Sequence, residues 1–389
     1  MQATKRKVRS ENSKISILKS GSRVDLPLLI VVLMLVALGL VMVLSASAPS
    51  ALAESGDSYS YFKKQAIATV LGFVGMFFLS KLNYDIYKRF YKLIYVISVL
   101  ILFAVLIPGI GVESSGAKRW INIGMQLQPS EITKIGLIIW VAGYYSDPNN
   151  KTTGFWGACL KPIVAVLIPI AILYVVQNHL SAGIIIAIVT AVMIVMSGCQ
   201  LKYIGYLIGL GVGAIAIIFP FVKDKFMEGF RSDRIEAWLD PWKNPTGTSY
   251  QTIQGLYAIG SGGLFGVGLG ESKQKYLYIP EAHNDFIFAI LAEELGFIGC
   301  AVVLGLFAVL IVRGIVIAIR AKDTFGSMVA IGITALIASQ VILNIAVVTN
   351  SIPNTGISLP FLSYGGSSIV ILLGAMGVLL NISRSSKKI

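Results

Sequence analysis

Ten apolar segments dominate this sequence: 26–47, 64–81, 90–108, 130–145, 160–176, 181–197, 203–222, 286–312, 325–348 and 360–381. About 20 apolar residues cross a bilayer as a helix, and each segment is close to that length. The eighth is long enough to tilt or to project beyond the hydrocarbon. Composition excludes a water-soluble alternative. Only 13% of residues are charged and 56% are hydrophobic, against roughly 25% charged in ordinary soluble domains. Such a chain could not cover a surface with polar groups. The expectation is an all-α polytopic membrane protein with about ten transmembrane helices. One membrane domain at 26–383 lies between a basic tail at 1–25 and a short basic tail at 384–389.

The basic residues orient it. Seven Lys and Arg precede the first segment, and Arg384, Lys387 and Lys388 follow the last. Counting alternate connections, 20 fall on the side of the termini and eleven on the other, seven of those in one long loop. Charge in long loops has little say, so the positive-inside rule puts both termini in the cytoplasm. Much of the net charge of +13 is then topology signal and attraction to anionic lipid, and no nucleic-acid partner is expected. Ala46-Ser47-Ala48 and Ala51-Leu52-Ala53 look like cleavage sites. The apolar run nevertheless exceeds the roughly 7–15 residues of a signal core and follows a long basic tail, so it reads as an uncleaved helix. Cys159, Cys199 and Cys300 lack CxxC spacing, and His179 and His283 are the two histidines. Neither a disulfide framework nor a histidine-rich metal centre is indicated.

Unusual sequence gathers on the extracytoplasmic side. Loop 109–129 is short and polar. Loop 223–285, between helices seven and eight, holds seven basic and eight acidic residues. Its aromatic residues Trp238, Trp242, Tyr250, Tyr257, Tyr276 and Tyr278 predict a folded loop lying on the membrane interface. The run Gly260–Gly270 lacks the βαβ context of a nucleotide site and faces away from ATP. Tight turns and close packing account for its glycines.

Three segments carry candidate chemistry. Gly116-Ala117-Lys118-Arg119-Trp120, then Gln128-Pro129-Ser130-Glu131-Ile132-Thr133-Lys134, meets the outer mouth of the fourth helix. Pro129-Ser130 can open a helix with Glu131 in its first turn. Glu131 and Lys134, at i and i+3, can pair. Charges inside a bilayer suggest function, and a structural ion pair is the other reading. Lys118 and Arg119 beside Trp120 suit an anionic lipid head group, or else snorkel to solvent. The second segment runs Tyr278-Ile279-Pro280-Glu281-Ala282-His283-Asn284-Asp285-Phe286-Ile287-Phe288-Ala289. Asp285 is either an N-cap or a general base at the membrane surface. Glu293 and Glu294 follow within the helix and must face protein or water. The third, Asn350 through Ser368, combines Pro353, Pro360, Gly356, Gly365 and Gly366 with many hydroxyls. Irregular backbone at membrane depth must be buried in protein or line a cavity, so this reads as cavity wall, or as a loop with small-residue helix packing.

These motifs resemble, in order and over nearly the whole chain after residue 25, the SEDS family of FtsW, RodA and SpoVE. The matching stretches are Gly-Ala-Lys-Arg-Trp with Gln-Pro-Ser-Glu-x-x-Lys, Pro-Glu-Ala-His-Asn-Asp-Phe-Ile-Phe-Ala with Glu-Glu-Leu-Gly, and Leu-Pro-Phe-Leu-Ser-Tyr-Gly-Gly-Ser-Ser. Arg231 through Trp242, Gln251 and Gln274-Lys275 are similar to the FtsW/SpoVE branch. One stretch departs: where many relatives read Glu/Gln-Pro-Asp-Leu-Gly, this chain has Gln177-Asn178-His179-Leu180-Ser181.

The resemblance implies a peptidoglycan glycosyltransferase of the plasma membrane and division septum, acting in division or sporulation. Its substrate would be lipid II, a disaccharide-pentapeptide on undecaprenyl pyrophosphate. Its partners would be a class B penicillin-binding protein and other division or sporulation membrane proteins. Asp285 aligns with the family's essential aspartate. Lys118, Arg119, Trp120, Glu131, Lys134, Lys275, His283, Ser363, Tyr364 and Ser367 are the candidate substrate-binding residues. Pyrophosphate leaves readily once cations such as Lys118, Arg119 and Lys275 neutralise it, and one carboxylate suffices to deprotonate the acceptor hydroxyl. An α-linked donor and a β-1,4 product imply inversion by direct displacement. A divalent cation, Mg or Mn, could assist, although no ligand cluster demands one. The rival readings are a lipid II flippase and a non-enzymatic scaffold for a transpeptidase.

Overall fold

The computed structural model describes residues 24–385 apart from 115–116, 123, 125, 201, 204, 207–208, 210–229 and 248. Among the described residues, seven helices are long and apolar enough to cross a bilayer. They are α1 (Leu26–Ser55), α2 (Ser60–Lys81), α3 (Asp85–Leu100) with its 3₁₀ continuation Ile101–Leu106, α5 (Lys161–Val175) with a preceding π turn, α9 (Ile287–Arg320), α10 (Thr324–Val348) and α11 (Gly366–Arg384). α4 (Pro129–Ser146) and the shorter apolar α6 (Leu180–Met196) take the fourth and sixth expected positions. The seventh expected segment, 203–222, lies largely outside the described residues, as do most of the N-terminal basic tail and residues 386–389. α7 (Phe230–Leu239) and α8 (Tyr250–Gly262) fold within the long loop.

Local chemistry explains the boundaries. Asp25 caps α1 by accepting the Leu28 N–H at 3.0 Å, ahead of Pro27 in the first turn, as N-caps and early prolines do. The same carboxylate pairs with Arg313 of α9, Nε to Oδ1 at 3.1 Å. α1 outruns its expected end at 47 and stops at Gly56, which is left-handed at φ 72° and closes on Leu52 O at 3.0 Å. The connection at 109–129 is more than a polar loop. It holds an antiparallel sheet in the order β1 (Gly111–Ser114), β2 (Ala117–Asn122), β3 (Gln126–Leu127), pairing Val112 with Trp120 and Ile121 with Leu127.

α9 breaks at Gly296 (φ 65°, ψ −167°). The break removes the i→i−4 bonds of Phe297 and Ile298. Their N–H groups donate instead to Gly263 O at 2.9 Å and Leu264 O at 3.1 Å, and the released carbonyls of Glu293 and Glu294 accept from Val267 at 2.9 Å and Gly268 at 3.1 Å. Helix and loop thus satisfy one another, as buried backbone requires. The close approach depends on glycine: a Cβ on Gly266 would lie 2.1 Å from Glu294 O. Small residues likewise admit neighbouring helices. A Cβ on Gly377 of α11 would lie 2.5 Å from Met76 O of α2. One buried apolar core runs from Leu28 in α1 to Ile382 in α11, while Ile67, Phe77, Val175 and Ile319 point outward where lipid would lie.

Candidate active site

α2, the β sheet, α4, the start of α6, α8 and two irregular stretches enclose a cavity of about 1160 Å³. The irregular stretches are the turn before α9 and the loop before α11. Six of the expected site residues beside Asp285 line it: Arg119, Trp120, Glu131, Lys134, His283 and Tyr364.

Asp285 sits in the turn leading into α9, partly open to the cavity and otherwise surrounded by protein. Desolvation pushes its carboxyl up to about 6, with Arg234 opposing and Glu281 reinforcing the shift. The capping reading does not hold, because Phe286 is the N-cap and no side chain caps α9. The carboxylate instead faces the loop before α11, where a Cβ on Gly356 would lie 3.7 Å from Oδ2. Asn344, fully buried on α10, fixes this arrangement. Its Nδ2 donates to Asp285 O and to Ile357 O, each at 2.7 Å. The two N–H donors of its neutral amide serve both carbonyls at once.

The cations are arranged differently from the sequence expectation. Arg119 reaches the cavity from β2, held by Nε to Gln177 O at 3.3 Å and Nη2 to Asn178 O at 2.8 Å. Arg234 of α7 donates to Asn354 O at 2.9 Å and acts electrostatically on both Asp285 and Arg119. Burial lowers the pKa of both arginines, the cost of holding cations where an anion could join them. Lys118 is exposed and lies off the cavity wall. Lys275 is buried elsewhere, with Nζ 3.0 Å from Glu294 Oε1 and 3.1 Å from Ser45 Oγ. Glu293 accepts from Lys273 N at 3.0 Å and from the Ser272 hydroxyl. Glu293 and Glu294 thus face protein and tie the preceding loop to α9.

Glu131 and Lys134 form a buried ion pair of 2.7 Å on one face of α4, both lining the cavity. His283 lies between Tyr61, ring centroids 4.5 Å apart, and Tyr364 at 5.5 Å. Burial pushes its imidazole down to about 4, so it is neutral at pH 7. Ser363 and Ser367 serve the backbone: their hydroxyls accept from Leu359 N at 2.7 Å and Gln128 N at 3.2 Å. In the divergent stretch His179 lines the cavity in place of the relatives' Asp, and the Ser181 hydroxyl donates to Thr355 O. No group of three or more His, Cys, Asp or Glu among the described residues could hold a metal ion.

Sequence reasoning missed Asn344, Gln340 and Arg234. A signal existed for the first two, since Gln340 and Asn344 are amides inside an apolar span, four residues apart on α10, where polar groups are rare and suggest function.

Fold and site define a multi-pass helical membrane protein with an acidic and basic cavity at one end of its bundle. The chain belongs to the FtsW/RodA/SpoVE family, described as cell cycle proteins, whose pattern matches residues 26–388. It is 43% identical over 364 residues to stage V sporulation protein E of Bacillus subtilis (strain 168), covering 93% of this chain and 98% of that protein. It is equally 43% identical over 365 residues to the probable peptidoglycan glycosyltransferase FtsW of Trichlorobacter lovleyi, covering 93% and 94%. Among solved structures, a chain from a peptidoglycan synthase complex that coordinates polymerization and crosslinking aligns with TM-score 0.75 and 27% identity, over 93% of this chain and 98% of that one. The rod shape determining protein RodA of Thermus thermophilus aligns with TM-score 0.68 and 26% identity, over 94% and 98%.

Proposed function

We propose that this protein is a peptidoglycan glycosyltransferase that polymerises lipid II into glycan strands at the outer face of the plasma membrane. The observation that carries this reading is the Asp285 carboxylate in the cavity wall, with Arg119 in the same wall and Arg234 acting electrostatically on both. The acceptor sugar hydroxyl attacks the donor's anomeric carbon as Asp285 takes its proton. The bond from that carbon to the pyrophosphate oxygen breaks, and the pyrophosphate leaves with the electron pair. Arg119 and Arg234 stabilise the growing negative charge, with Lys134, paired to Glu131, also in the cavity wall. Lys118 and Lys275 have no such position. The names of the relatives support a septal role in division or sporulation, and the synthase-complex neighbour supports a penicillin-binding protein partner.

Asp285→Asn keeps the shape and removes the base. We expect lipid II polymerisation by the purified protein with its partner to fall by about 10²-fold or more; near wild-type rates would refute the assignment. The buried Glu131–Lys134 pair also suits a transporter, which moves lipid II and makes no bond. Polymer formed in detergent, where there is nothing to cross, rules that reading out.

A further inference from the structure

The glycine-rich stretch after α8 takes no part in the proposed chemistry, yet it is apolar and exposed. No Asp, Glu, Lys or Arg lies between Lys243 and Glu271. Leu264, Phe265, Val267 and Leu269 are all exposed, Phe265 at 80%. We propose that residues 264–269 are inserted among the acyl chains of the outer leaflet, as a non-helical segment at membrane depth.

Three observations carry this. The first is depth. The Asp25–Arg313 pair gives α1 and the long α9 a common reference level, at the start of α1. Phe297 is 16 residues from Arg313 along α9, about 24 Å at the helical rise of about 1.5 Å per residue. Ser45, whose hydroxyl reaches Glu294 at 2.6 Å, is 20 residues beyond Asp25 along α1, about 30 Å by the same measure. The level of Phe297 and Ile298 therefore lies about 24–30 Å from that pair, within one hydrocarbon thickness of about 30 Å. Gly263 and Leu264 are hydrogen-bonded to those two residues, so the loop shares their depth.

The second is continuity. Phe297, Ile298 and Val302 expose their side chains on α9 beside Leu264 and Phe265, forming one apolar surface. The third is backbone satisfaction. A non-helical segment survives in hydrocarbon only if protein meets its polar groups. Here the break at Gly296 supplies two carbonyls and two N–H groups to the loop, and Gly266 N donates to Gly262 O at 2.8 Å. The buried Lys275–Glu294 pair and the Glu293 contacts anchor the segment where it leaves that depth.

The test uses the full chain in liposomes, without substitution. A phospholipid carrying a diazirine on its acyl chain is photolysed, and labelled peptides are mapped. We expect carbene adducts within 264–269 comparable to those around Phe297. A second measurement places nitroxides by Leu264→Cys and Phe265→Cys in a background lacking Cys159, Cys199 and Cys300, with Phe297→Cys and Glu271→Cys as lipid and water references. Collision with oxygen should be high and with a water-soluble nickel chelate low, as at 297. Absence of adducts in 264–269 while α9 is labelled, nickel accessibility as at 271, or exclusion of both reagents as beneath a protein partner would each overturn the proposal.

Discussion

Asp285 carries a carboxyl that folding makes harder to ionise. Its pKa of about 6 lies above the ordinary value of 3.8, so the folded protein binds a proton that the unfolded chain has lost. Ionisation therefore weakens the fold as pH rises through that window, while a base needs the ionised form. We expect a rate profile with an acidic limb near pH 6 that vanishes with the activity in Asp285→Asn. That variant should melt no lower than wild type at pH 7, whereas a cap would melt lower and retain its rate. Asn344→Leu should strand two carbonyls, at about 1–3 kcal/mol each. It should also lower kcat with KM little changed and displace the acidic limb, a shift that lost stability alone would not produce. Asp285, Arg119, Trp120 and the Glu131–Lys134 pair were legible because short motifs carry them. Arg234 was not, since it meets the site from 51 residues away from Asp285 and nothing local announces a contact of that range, and the amide of Asn344, although conspicuous in an apolar span, did not reveal its partner 59 residues away. Lys118 and Lys275 show the converse limit, because a motif gives a residue's place and not where its side chain points.

At the level of elements, the loop before Asp285 is held by Lys275, which the sequence reading assigned to substrate and which instead pairs with Glu294. Breaking one partner of a buried ion pair costs about 3–5 kcal/mol, and Lys275 and Glu294 are both almost fully enclosed. Lys275→Met should therefore lower the melting temperature in detergent, and Lys275→Met/Glu294→Gln should recover part of it with KM for lipid II unchanged. A pyrophosphate role would instead raise KM in both. The sheet at 111–127 escaped the hydropathy reading because its strands are only 4, 6 and 2 residues long, and a pattern needs more residues than that to declare a period. The outer glycines were read correctly as packing and turn residues, although their partner, the broken helix, could not be named from the sequence.

For the whole molecule, nine of the ten expected spans correspond to helices among the described residues. They were legible because a bilayer imposes length and apolarity together. Orientation rests on charge bias, and it has a direct check. Asn284→Cys, beside the catalytic candidate and partly exposed, should react in intact cells with a thiol reagent that cannot cross membranes. Labelling only after lysis would put the cavity on the cytosolic side, where no polymer is laid down, and would end the enzymatic account.

The exchange of backbone partners around Gly296 ties two stretches of chain, some thirty residues apart, into a single cooperative unit. Neither can loosen alone, because each holds the other's orphaned amides. The N–H groups of Val267, Gly268, Phe297 and Ile298 should then be shielded from deuterium by one common opening free energy, and whatever quickens exchange at one should quicken all four.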